Sequence, residues 1–239
     1  MRLARIVTCA LAVIGAYFLV LRAAFMAKLE GDAYAYASQI VGALIAGAAI
    51  AHLETRGARP RYEALIAGML GTATVAVVAF ASARTYSWAP VRSAHPAVLA
   101  LATIVATGVA SHVGAWLFGA RAGSTAWLVV FAGAVSACMV FLGGRVAYAA
   151  GLVSLTVASA TIASCVCAAI AAFATQWVVL AHRPVACASG ILVAMGVYVL
   201  GVVLNGTPLD NTLVLCLPII ASLVGAQAAA VLRPKPVDF

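Results

Sequence analysis

Charge is what this sequence has least of. Only 8% of its 239 residues are Asp, Glu, Lys or Arg, and just six of those are acidic. A soluble domain carries roughly 25% charged and 45–50% apolar residues. Here 66% are apolar and the mean hydropathy is +1.14. A large core cannot account for that excess, because a globule must still coat its surface with polar groups. Lipid must therefore solvate most of the surface. A spanning helix needs about 20 predominantly apolar residues, so this length holds about eight crossings and no soluble domain. The expected fold class is all-α, a single polytopic transmembrane helix bundle covering residues 1–239.

The chemistry-bearing patterns are missing too. No GxSxG, HExxH, Walker A or GxGxxG motif occurs, and no Ser/His/Asp set follows from spacing. The six cysteines, Cys9, Cys138, Cys165, Cys167, Cys187 and Cys216, form no CxxC pair, and Cys165 and Cys167 point to different sides of a helix. They read as small buried apolar residues. Only His112 falls at depth in a span, which leaves heme without a second axial histidine. The expectation is no catalytic residues, no metal, no cofactor and no enzyme activity. The formal charge of +8 fits Lys and Arg gathered beside anionic headgroups better than nucleic-acid binding.

Apolar runs predict spans over about 6–22, 36–52, 64–83, 97–118, 126–142, 151–173, 187–204 and 213–232. The first follows Arg2 and Arg5 and continues into a poor cleavage context, so it reads as a retained signal anchor. Each run should be helix, because an open strand edge goes unsatisfied in hydrocarbon. With the N-terminus inside, Arg2, Arg5, Arg56, Arg59, Arg61, Arg121, Arg183, Arg233 and Lys235 lie inside, against Arg22, Lys28, Arg84, Arg92 and Arg145 outside. That bias puts both termini of a multi-pass cell-membrane protein in the cytoplasm. Trp88, Trp116, Trp127 and Trp177 fall near span ends, where an interfacial belt places them.

Small residues recur every four positions. The second span carries Ser38, Gly42 and Ala46 beside Ala43, Gly47 and Ala51, and the fourth carries Ala102, Ala106, Ala110 and Gly114. The sixth has Ala160, Ser164, Ala168 and Ala172, and the eighth Ala221, Gly225 and Ala229. Such stripes let helices approach closely where lipid offers no hydrophobic drive. They serve packing within the bundle or dock a homo-oligomer or partner membrane subunit. Val41-Gly42-Ala43, Val113-Gly114-Ala115 and Val224-Gly225-Ala226 each follow a serine, with Val166-Cys167-Ala168 in the comparable place, a weak hint of a duplicated hairpin.

No acidic residue lies deep in a span, which argues against proton coupling through a buried carboxylate. Candidate cavity or gate residues are His112, Gln39, His52, Glu54 and Glu63, with His52, Glu54 and Glu63 bracketing an arginine-rich inner loop. Tyr17, Tyr198, Thr72, Thr74, Thr103 and Thr107 are further polar groups at depth, although threonines commonly bond back to their own helix. Glu54-Thr55-Arg56-Gly57-Ala58-Arg59 resembles the loop between the second and third helices of major facilitator transporters, keeping an acid and basic residues but not the spacing. Eight spans depart from the twelve of that family. The expected function is a small permease or channel-like protein for a neutral or amphipathic solute. Its rival is a non-catalytic membrane subunit or assembly factor.

Overall fold

A computed structural model describes residues 2–29, 31–53, 60–81, 90, 93–118, 124–139, 157–178 and 212–232. Every regular element among them is helical: α1 (Arg2–Met26), α2 (Asp32–Ala51), α3 (Pro60–Ala81), α4 (Pro96–Phe118), α5 (Thr125–Cys138), α6 (Val157–Val178) and α7 (Thr212–Leu232). Helices α1 to α4, of 20 to 25 residues, are long and apolar enough to cross a membrane. At 1.5 Å per residue they measure about 30–38 Å, against a hydrocarbon core of about 30 Å.

Seven of the expected spans thus coincide with helices. The described part of the fifth is shorter than expected, 14 residues ending at Cys138, and 187–204 lies outside the described residues. The chain divides into two compact units, residues 1–134 and 135–239.

In the first unit α2 packs against α1, α3 and α4, while α3 packs against α1 and α4. The composition of inside and outside is inverted relative to a soluble protein. Val77, Val98 and Leu101 are 63–68% exposed, whereas Thr107 and Ser111 are 0% and Gln39 3% exposed. The buried apolar residues are mostly alanine. Small and polar side chains face the neighbouring helices and branched apolar ones face outward, the arrangement that lipid as solvent selects. In the second unit α6 and α7 pair, with Ala168, Ala171, Ala172, Ser222, Gly225 and Ala229 buried. Pro218, fully buried in α7, has no N–H to close a helical bond, and Ser222 Oγ donates to the Ile219 carbonyl one turn on (2.7 Å).

Helix ends carry the expected signals. Pro60 opens α3 and Pro96 opens α4, a position where the missing proline N–H costs nothing. The turn out of α1 is a Schellman motif: Leu29 N–H donates to the Ala24 carbonyl (3.0 Å) and Lys28 N–H to Phe25 (2.9 Å). It forces Lys28 to φ 58°, a left-handed conformation that disfavours a side chain with Cβ, before Gly31 at φ 109° leads into α2. Lys28→Gly is therefore expected to stabilise the α1–α2 hairpin by about 1 kcal/mol. SDS titration in mixed micelles, followed by circular dichroism, checks this, and an unchanged or lowered midpoint would contradict it.

Candidate functional site

Glycines set the distances in the first unit. A methyl group added to Gly47 on α2 would collide with the Ser111 carbonyl of α4, and one added to Gly114 on α4 would collide with the Leu44 carbonyl of α2. The two backbones thus touch reciprocally. Gly42 faces α1, where an added methyl would come within 2.6 Å of the Tyr17 backbone nitrogen. Gly68 of α3 lies as close to α4, 2.7 Å from the Thr107 carbonyl by the same measure. In the second unit Gly225 meets the Ala169 carbonyl of α6.

Both stripes on α2 are buried throughout: Ser38, Gly42 and Ala46, and Ala43, Gly47 and Ala51. On α4 the expected stripe breaks. Ala110 and Gly114 are buried, but Ala102 and Ala106 are exposed. Four residues turn a helix by about 400°, so each step drifts about 40° and three steps leave the face. The buried face of α4 instead runs through Ala100, Thr103, Thr107, Ser111 and Gly114.

That face is polar as well as small. Thr107 Oγ1 donates back to the Thr103 carbonyl (2.8 Å), and the Thr72 hydroxyl of α3 then donates to it (2.8 Å). Thr103 and Thr74 bond to their own helices, to Leu99 (2.6 Å) and Leu70 (2.9 Å). Ser111 makes no such bond, and its Oγ is buried without a hydrogen-bond partner.

The remaining candidates gather where α1 and α3 begin and α2 and α4 end. Glu63, in the first turn of α3, accepts from Arg5 Nε of α1 (2.8 Å), and both side chains are about 15% exposed (16% and 15%). The helix N-terminus favours that carboxylate further. His112 Nδ1 lies 3.0 Å from the Arg61 carbonyl, with the Tyr62 ring at 6.1 Å. A carbonyl only accepts, so Nδ1 carries the proton and Nε2 is left outside the pair. His112 thereby ties α4 to α3.

His52 is different. It caps the end of α2, its backbone N–H donating to the Ala49 carbonyl (3.1 Å) and that of Leu53 to the Ile50 carbonyl (3.1 Å). The side chain is 2% exposed and stacks flat on Trp127 at the start of α5 (5.7 Å, 5°), and Trp127 in turn meets Phe118 of α4 (5.5 Å). Neither ring nitrogen has a hydrogen-bond partner. His52 and Glu63 share no hydrogen bond, and Glu54, the third residue of the expected gate, lies outside the described residues. Gln39 is buried on α2, further from this end.

Among the described residues no three His, Cys, Asp or Glu come together as a metal would need. A comparison with known protein families, curated proteins and solved structures finds no match.

Sequence reasoning missed the partners: Arg5 for Glu63, Trp127 for His52, and Gly68 and Ser111 at the α3–α4 and α2–α4 contacts. Glycine inside a helix costs about 1 kcal/mol relative to alanine, so interior Gly68 was itself a signal of close approach. Nothing in the spacing pairs His52 with Trp127.

Two predictions follow from these contacts. Gly47→Ala should destabilise the protein by about 1–3 kcal/mol by forcing α2 and α4 apart, whereas Ala102→Val, on the exposed face, should stay within about 0.5 kcal/mol. Equal losses in SDS unfolding would refute that assignment of faces. His112→Ala should cost about 0.5–1.5 kcal/mol, the worth of one hydrogen bond, read in the same unfolding titration.

Proposed function

We propose that this chain is a multi-pass cell-membrane protein of eight spans with both ends in the cytoplasm, and that it passes a small neutral or amphipathic solute. One observation carries the reading. Along the buried face of α4 Thr103, Thr107 and Ser111 follow one another, a turn apart, toward the end occupied by His52, with Thr107 against α3 and Ser111 where α2 and α3 both approach, in a bundle whose outer faces are apolar. A polar file inside an apolar shell suits a solute that needs hydrogen bonds and carries no charge.

The seam is shut where Gly47 and Gly114 bring the backbones together, so passage requires α2 and α4 to rock apart. Contacts of backbone on backbone, without interlocked long side chains, allow such sliding. The two described acids in or beside spans, Asp32 and Glu63, sit in the first turns of their helices. With no described carboxylate at mid-membrane, the proposed movement is downhill and involves no catalysis.

The close glycine contacts are engaged within the chain itself, which favours this reading over a subunit that docks partners through its stripes. The purified chain in liposomes provides the test, under an inward gradient of glycerol, urea or a short diol followed by light scattering. At least one solute should equilibrate faster than in protein-free vesicles, and Gly47→Leu should change that rate. Solute rates equal to those of protein-free vesicles, with a partner co-purifying at fixed stoichiometry, would replace transport by the subunit reading.

A further inference from the structure

His52 leaves two polar atoms of one neutral side chain buried without a hydrogen-bond partner. An unsatisfied buried donor or acceptor costs about 1–3 kcal/mol, and the neutral imidazole has one of each. Both ring nitrogens lack a partner, in a side chain 2% exposed. The flat stack on Trp127 fixes the plane of the ring, so both nitrogens are held in set directions along its edge. Such a group is pre-oriented for something outside the protein's own hydrogen bonds.

The chemistry of that something is constrained. A metal ion is disfavoured, since no three His, Cys, Asp or Glu gather among the described residues. An anion is disfavoured because His52 closes the C-terminal end of α2, where the last carbonyls carry partial negative charge. A hydroxyl fits: one oxygen both donates and accepts, so it satisfies either ring nitrogen in either tautomer.

We infer that His52, held by Trp127, is the hydroxyl-binding group at one mouth of the α2–α4 seam, and that the solute is a small neutral alcohol or polyol. Ser111 of α4, whose Oγ is also buried without a partner, lies with its backbone against Gly47, five residues before His52 on α2 and about 7.5 Å along the axis, and with its Cβ against Gly68 of α3. This assignment rests on the transport reading for its place in a path, but the binding step is separable from flux.

Trp127 itself reports on the site. The probe is glycerol, titrated against the full chain in detergent micelles, and the signal is the tryptophan emission lost in Trp127→Phe. The wild type should show a saturable change. His52→Phe, which keeps a stacking ring and removes both nitrogens, should need about tenfold more glycerol, while His52→Gln, which keeps a donor and an acceptor, should respond nearly as the wild type does. A flat wild-type response would mean a bound water only and would overturn the inference. An identical response in His52→Phe would overturn it as well by placing glycerol elsewhere. Saturable, His52-dependent binding without glycerol flux in liposomes would keep the site and remove the transport reading.

Discussion

Two helices in hydrocarbon gain nothing by burying leucine against leucine, because the lipid tails offer the same environment. What they gain is close contact, and close contact needs the absence of side chains at the point of crossing. The pairings of α2 with α1 and with α4 meet that condition, at Gly42 and at Gly47 and Gly114. The rest of the first unit depends on this. Once α2 lies backbone to backbone against α4, the branched residues of α4 have only the outside to face, and the hydroxyls of Thr103, Thr107 and Ser111 have only the inside.

The hydroxyls then divide by how they meet the demand for hydrogen bonds. Thr103, Thr72 and Thr107 are satisfied by carbonyls one turn away and by each other, at no cost in protein architecture. His112 and Glu63 use theirs to fasten helix ends, α4 to α3 and α1 to α3. Ser111 and His52 do neither. In a bundle this short of polar groups, a buried imidazole with neither nitrogen satisfied is a stronger indication of use than a histidine already bonded to a carbonyl, and it shifts attention from His112 to His52.

Much of the fold was legible because apolar runs of bilayer length leave few alternatives: the starts of α2, α3 and α4 fall within four residues of those read from hydropathy, Asp32 for 36, Pro60 for 64 and Pro96 for 97. The stripes were half legible. On α2 they hold because that helix is enclosed by three neighbours, so any small face meets one of them. On α4 a spacing of four winds off the contact, and Ala102 and Ala106 end on the outside. The site was the least legible part. His52 read as a headgroup residue because it ends a span, yet Trp127, 75 positions further along the chain, covers it. No local pattern encodes a stack between residues so distant.

Placement at a helix end also gives the His52 reading its physical coherence. Gly47 and Gly114 each lie four residues before the end of their helix, so the backbones close on one another within about one turn of the level of His52. At the end of α2 the chain is capped by its own turn, and the His52 imidazole is held there by the stack on Trp127. Selection at the mouth and obstruction at the crossing are then separate tasks, carried by a side chain and by a backbone contact. Under the proposed transport reading, changing the imidazole would alter what is recognised, and changing the glycines would alter what can open.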